Sequence, residues 1–181
     1  GGTNGKGSCV ALLTTILRAA GLRVGAYTSP HLLRYNERIQ INASPVSDQV
    51  LCETFSRVDA ARGETSLSYF EFGTLTALAI FRRAALDVQV LEVGLGGRLD
   101  AVNIIDADAA LVASIDIDHQ EWLGSTRDAI ALEKGGIYRS ERPAVLGDPD
   151  VPLALLDYVA EQGISLSCQG RDFRYTDRET C

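Results

Sequence analysis

Gly2-Thr3-Asn4-Gly5-Lys6-Gly7-Ser8, almost the first residues of a chain of 181, decide how the rest is read. Glycines let consecutive backbone N–H groups turn inward around phosphate oxygens. The N-terminus of a following helix adds a partial positive charge, and Lys6 adds a full one. This is the logic of a phosphate-binding loop. It departs twice from the strict GxxxxGK[ST] pattern. The first glycine would fall before residue 1, and Gly7 separates Lys6 from Ser8. A plain glycine turn before a helix is the alternative, and it leaves the lysine and the hydroxyl unexplained.

Outward from the loop, helical and strand patterns alternate, the signature of an α/β fold. Residues 8–20 read as a helix with Leu13, Ile16, Leu17 and Ala20 on one face and Gly21 as its stop. A short strand is expected over 22–28. The stretch Ser29–Asn42 reads as a long functional loop ending in a strand at 39–41. Ser47 is placed to cap a helix that runs to about Ala61 and stops at Gly63. Residues 70–85 form a second strong helix. The apolar run 87–93 reads as a buried parallel strand, followed by Gly94-Leu95-Gly96-Gly97. Another buried strand over 109–115 ends in Asp116-Ile117-Asp118-His119. Then come a helix over 126–135, a strand at 143–146, a helix near 152–162 and strand-like segments near 164–168 and 172–176. The tail after Gly170 reads as an edge hairpin.

Three further segments carry chemistry. Glu92 ends a buried apolar strand, where a hard carboxylate oxygen suits Mg²⁺ beside phosphates; pairing with Arg98 or capping a turn is the alternative. His119 follows Asp118 at another strand end. The local sequence leaves it a metal ligand, a general base or a hydrogen-bonded structural residue. His31, in Ser29-Pro30-His31-Leu32, reads as an oriented loop residue. Lys134, taken alone in Glu133-Lys134-Gly135-Gly136, reads as a solvated partner of a helix C-terminus.

Composition bounds the partners. Hydrophobic residues make up 46% and charged residues 23% of the chain, ordinary globular values that allow one sizeable core. The formal charge of −7 argues against nucleic acid or a membrane surface as partner. No apolar run approaches a membrane span. Cys9, Cys52, Cys168 and Cys181 lack paired spacing, which argues against a disulfide scaffold or zinc cluster and for a reducing cytoplasm. Cys9 reads as a small buried thiol rather than a nucleophile. The chain contains no Met and starts with glycine, which reads as a fragment or processed chain.

Taken together and in order, GTNGKGS (2–8), TSPHL (28–32), NERIQIN (36–42), YFEFGTLTA (69–77), LEVGLGGRLDAVN (91–103), DHQEWLG (118–124) and EKGGI (133–137) resemble the bifunctional dihydrofolate synthase/folylpolyglutamate synthase family of the Mur ligase superfamily. The resemblance runs from residue 2 to about 150. It implies a P-loop α/β fold with a mostly parallel sheet flanked by helices. It also implies an ATP-dependent ligase that joins dihydropteroate or a folate to L-glutamate, with Mg²⁺ at two sites, acting as a monomer when full length. Thr3, Asn4, Gly5, Lys6, Gly7 and Ser8 would hold the ATP phosphates. Ser29, Glu92 and His119 would bind Mg²⁺, together with Lys134 as a carbamate, which overrides the local reading of that lysine. Ser68, Tyr69, Phe70 and Glu71, with Leu99, Asp100 and Ala101, would contact the pterin substrate. Val102 stands where the family has Thr, and Gly135 where it has Ala.

The same resemblance makes residues 1–181 a partial ATP-binding domain. A strand would precede the loop, a second α/β domain would follow, and the piece alone would be inactive. Two rivals remain at this point. A sibling Mur-type ligase would share the ATP chemistry but act on another acid. A nucleotide switch would need an NKxD base-reading motif, and the sequence has none.

Overall fold

The glycine loop runs into a helix as expected, and α1 spans Lys6–Ala19. Its buried face differs from the expected one. Val10 and Thr14 are buried, whereas Leu13, Ile16 and Ala20 are exposed and Leu17 is half-buried. Lys6, Val10 and Thr14 follow one another at i+4 spacing and so share a face. The loop draws Lys6 back onto itself, with Nζ donating to the Gly2 carbonyl at 2.8 Å.

The structure, a computed structural model, describes residues 1–175. The chain divides into two units, one of residues 7–94 and the other of residues 1–6 with those from 95 onward. In the first, β1 (Val24–Tyr27) pairs with β2 (Ile39–Ile41), which pairs with β3 (Ser44–Pro45), both antiparallel. On its other side β1 pairs with β4 (Val88–Leu91) in parallel, giving the order β3-β2-β1-β4. Helices α2 (Asp48–Arg62) and α3 (Tyr69–Arg83) pack together. Ser47 caps α2 by accepting from the Val50 N–H, and Gly63 ends it, as expected. All of β1 is buried, and Val24, Tyr27, Ile39, Ala77 and Phe81 form the core. The run 87–93 is parallel as expected but only half-buried along β4, with Gln89 exposed. Within this sheet β4 is the terminal strand and has one neighbour.

In the second unit β5 (Ala110–Val112), β6 (Ala144–Leu146) and β7 (Leu166–Cys168) are parallel and in that order. Gly1–Thr3 lie along β5. The Gly1 amine donates to Leu111 O at 2.7 Å, the Ala113 N–H to Gly1 O at 2.9 Å and the Thr3 N–H to Ser114 O at 2.8 Å. The residues entering the loop thus occupy the position of a strand beside β5. Helices α4 (Gln120–Leu123), α5 (Arg127–Gly135) and α6 (Leu153–Glu161) complete the unit. Its core holds Val112, Ile130, Ala131, Leu146 and Leu155.

The expected strand near 172–176 does not form over 172–175; residue 176 and Cys181 lie outside the described residues. Asp172 folds the chain back instead, its carboxylate accepting from the Cys168 N–H at 2.7 Å. Only an isolated parallel bridge joins Gln169 to Phe173, so the described part of the tail is a turn rather than a hairpin. Cys9, Cys52 and Cys168 are free thiols, Cys9 half-buried. No helix among the described residues is long and apolar enough to cross a membrane.

Candidate functional site

The loop 2–5 is latched to the chain leaving β5. The Thr3 hydroxyl donates to Asp116 O and accepts from the Asp116 N–H, both at 3.0 Å. The Ser114 hydroxyl accepts from the Asn4 N–H at 3.0 Å and donates to Asn4 O at 3.2 Å. Each hydroxyl therefore works as donor and acceptor at once, and the loop is closed by four side-chain bonds. Gly5 takes a φ of +80°, a turn that only glycine makes without strain. Gly7 and Ser8 follow on the exposed first turn of α1.

Parallel pairing brings Ser29 and Glu92 together. Tyr27 faces Leu91 across the β1–β4 ladder, and the Glu92 N–H extends that ladder by donating to Tyr27 O at 2.9 Å. Both chains then leave their strands at the C-terminal end, where open α/β sheets bind ligands. The Ser29 N–H donates to Glu92 Oε2 at 3.1 Å. Glu92 is only 5% exposed. A Cβ at Gly7 would stand 3.9 Å from Glu92 Oε1, which puts the carboxylate by the first turn of α1. Arg98, the residue the alternative reading gave to Glu92, pairs with Glu133 at 2.8 Å.

The loop after Ser29 is organised by two residues that sequence reasoning passed over. The Glu37 carboxylate accepts from the N–H groups of Leu32, Leu33 and Arg34 at 2.7, 3.0 and 2.7 Å. Those bonds, led by Leu32 and Arg34, hold its carboxyl below the usual range. Arg38 is buried, its guanidinium lying 5.5 and 5.4 Å from the ring centres of Tyr35 and Tyr69. Its Nε donates to His31 Nδ1 at 2.8 Å, so His31 is indeed an oriented loop residue.

In the other unit, the local reading of Lys134 as a solvated end-of-helix cation fails. Lys134 is 3% exposed. Its pKa is pushed down to about 8, first by burial and then by the charge of Lys6, with Asp118 opposing. Lys6 and Asp118 therefore both lie within electrostatic reach of Lys134. His119 takes a left-handed backbone, with φ 48°, at the start of α4. Its N–H donates to Asp118 Oδ1 at 2.8 Å, and its Nε2 lies 3.5 Å from Asp118 Oδ2. Among the described residues no three His, Cys, Asp or Glu side chains form a metal-binding group. The donor set implied by the resemblance also draws on a serine hydroxyl and a modified lysine, which such a group does not include.

The expected substrate segments are structured by their own side chains. Ser68 Oγ accepts from the Glu71 N–H at 3.2 Å while Glu71 Oε2 accepts from the Ser68 N–H at 2.6 Å. This reciprocal cap starts α3. Tyr69 is exposed and Phe70 half-buried on the helix it opens. Asp100 accepts from the N–H groups of Leu95 and Val102 at 2.9 and 3.0 Å. It caps a 3₁₀ turn over Ala101–Ile104 and leaves Leu99 exposed. An open cleft of about 500 Å³ lies beside Asn4, Ser114 and Asp116, walled by Arg127. Arg127 pairs there with Asp148 and Asp150. Nothing in the local sequence marks Arg127 beyond its place as the first residue of a helix.

Loop, strands and helices together define an α/β domain of the phosphate-loop class, built as in Mur-type ligases. The chain is 50% identical over 175 residues to dihydrofolate synthase/folylpolyglutamate synthase of Escherichia coli and 55% identical over 169 residues to that of Haemophilus influenzae. It belongs to the dihydrofolate synthase/folylpolyglutamate synthase family. Those matches take in 97% and 93% of this chain but 42% and 38% of the relatives, so the chain spans about two fifths of their length. A solved structure of E. coli FolC in complex with DHPP and ADP matches with a TM-score of 0.96 at 49% identity, covering 98% of this chain and 43% of that one. The Yersinia pestis bifunctional enzyme complexed with AMPPNP and Mn ion matches at 0.94 and 50%, covering 98% of this chain and 43% of that one. No family model matches the chain.

Proposed function

We propose that this chain is the phosphate-binding part of an ATP-dependent ligase that joins dihydropteroate or a folate to the amine of L-glutamate. One observation carries the reading. A glycine loop closed by the bonds of Thr3 and Ser114 opens α1 at Lys6, in a chain half identical to a dihydrofolate synthase/folylpolyglutamate synthase along nearly its whole length. Residues 1–181 then form an ATP-binding domain of a longer cytoplasmic enzyme, monomeric when whole.

In this reading a substrate carboxylate oxygen attacks the γ-phosphorus of ATP, and ADP leaves. The glutamate nitrogen then attacks the acyl carbon, loses its proton, and phosphate departs. Thr3, Asn4, Gly5, Gly7 and Ser8 hold the phosphates through N–H and hydroxyl groups, and Lys6 offsets the charge that builds on the phosphoryl oxygens. Bound Mg²⁺ would supply Lewis-acid neutralisation of that charge. Ser29, Glu92, His119 and Lys134 would hold it. The donor chemistry fits. Glu92 is a buried carboxylate, and Lys134 is a buried amine held below its usual pKa, so more of it is neutral and able to add CO₂ as a carbamate. Tyr69, Phe70 and Leu99 offer apolar surface to a pterin, while Ser68, Glu71, Asp100 and Ala101 shape the segments that present it.

The full-length protein is expected to release ADP only when both a pteroate-type acid and glutamate are present. Turnover indifferent to glutamate, or preferring UDP-muramoyl acids, overturns the reading.

A further inference from the structure

Around Lys134 the second unit contains a polar clasp that none of the roles above uses. The turn Gly97–Ala101 is stitched to the C-terminal end of α5. The Arg98 N–H donates to Glu133 O at 2.7 Å, and the Arg98 guanidinium reaches Glu133 Oε1 at 2.8 Å. The backbones touch: a Cβ at Gly97 would stand 2.7 Å from Glu133 O and 2.9 Å from Lys134 O. From the opposite direction, a Cβ at Gly136 would stand 2.5 Å from Arg98 Cβ. Only glycine at both places lets the two turns meet.

Asn103 closes the clasp. Its Nδ2 donates to Arg98 O at 3.0 Å and to Gly136 O at 3.1 Å, so one amide bonds both turns. Its Oδ1 accepts from Arg139 NH2 at 3.0 Å, and Arg139 NH1 donates to the same Gly136 carbonyl at 3.2 Å. Asp106 anchors Arg139 from outside at 2.7 Å. Both NH₂ protons and one oxygen lone pair of Asn103 are thus in use.

We propose that Asn103 is a positioning residue that couples the Leu99–Ala101 segment to Lys134. The proposal rests on the functional reading above, which gives that segment to the acid substrate and Lys134 to the metal. Asn103 touches neither. It ties the carbonyl of Arg98, one residue before the segment, to the carbonyl of Gly136, two residues after the lysine. A shift of the segment on binding the acid is thereby passed to the end of α5, and a shift of Lys134 on binding metal is passed back.

The test uses the full-length protein with Asn103→Ala and Asn103→Asp. Alanine removes every bond of the side chain. Aspartate keeps an acceptor for Arg139 but faces the two carbonyls with an oxygen in place of a donor. In Asn103→Ala, amide hydrogen exchange is expected to rise together over 95–103 and 133–137, by roughly tenfold, the loss of about one net hydrogen bond. Over β6 it is expected to stay put. The Mn²⁺ concentration for half-maximal glutamate-dependent ADP release is expected to rise several-fold while the KM for ATP holds, a split that plain loss of folded protein does not produce. Asn103→Asp is expected to match or exceed alanine on every readout. Exchange that rises in only one of the two segments, an unchanged Mn²⁺ requirement in an active enzyme, or recovery of wild-type behaviour in Asn103→Asp overturns the proposal. If the wild-type protein shows no glutamate-dependent turnover, the functional reading fails by itself, and the exchange data still decide whether the clasp couples the two segments.

Discussion

Replacing Lys134 by Met is expected to stabilise the protein at neutral pH, an unusual direction for a change at a position proposed to hold metal. Lys134 is 3% exposed, and its pKa falls to about 8 from an ordinary 10.5. One pKa unit corresponds to about 1.4 kcal/mol, so holding the charge in the folded state at pH 7 costs about 3 kcal/mol relative to the unfolded chain. The sign follows from proton counts. Between about pH 8 and 10.5 the unfolded chain binds more protons than the folded one, so stability rises with pH across that window. Below pH 8 the penalty is present in full. Methionine fills a similar volume without a charge.

Urea unfolding of wild type and variant in CO₂-depleted buffer measures the difference, and other titrating groups cancel between the two proteins. The variant is expected to be more stable by about 3 kcal/mol at pH 7, the gap narrowing through the window and closing above it. Added bicarbonate is expected to stabilise the wild type alone, since a carbamate removes the cation. A variant less stable at pH 7, or a gap that does not change between pH 8 and 10.5, refutes the reasoning.

Two further outcomes follow from the loops. Lys6→Ala is expected to lower affinity for ATP by about a hundredfold, the loss of charge-assisted bonds to phosphate, with the circular dichroism and melting temperature nearly unchanged. Beyond the Lys6 bonds to the Gly2 and Thr3 carbonyls, the loop is held by the Thr3–Asp116 and Asn4–Ser114 bonds, so unchanged affinity in calorimetry rejects the phosphate role of Lys6. Glu37→Gln leaves one carbonyl oxygen for three N–H groups, and limited proteolysis is expected to cut within 29–38 faster at pH 7. Because the Glu37 carboxyl titrates lower when folded, its hold is present above the ordinary carboxylate range and is lost as the pH falls through the lowered value. Wild type is therefore expected to approach the variant's cleavage rate in acid, and equal rates at pH 7 contradict the role of Glu37.

Local pattern was enough for the elements that carry their own signals. Ser47 and Gly63 bracket α2 because a cap and a stop act within one turn. Lys6 at the start of α1 and Glu92 just past the end of β4 stand where local pattern puts them, for the same reason. What escaped depends on distant partners. The buried face of α1 holds Val10 and Thr14 rather than Leu13 and Ile16. Lys134 is buried by packing that no helix-end rule contains. Glu37 and Asn103 look like ordinary polar loop residues until the N–H groups or carbonyls they bind are folded against them. The half-exposure of β4 likewise depends on strand order, which a run of β-branched residues does not encode.

The double-acting hydroxyls of Thr3 and Ser114 have a consequence for affinity. A glycine loop is the most flexible kind of backbone, and ordering one at the moment of binding would subtract from the gain on contact. Here the ordering is completed during folding, by bonds that involve no guest molecule. The loop is preorganised, so the nucleotide-free and nucleotide-bound forms are expected to share one loop shape, and little of the binding free energy is diverted to freezing the backbone.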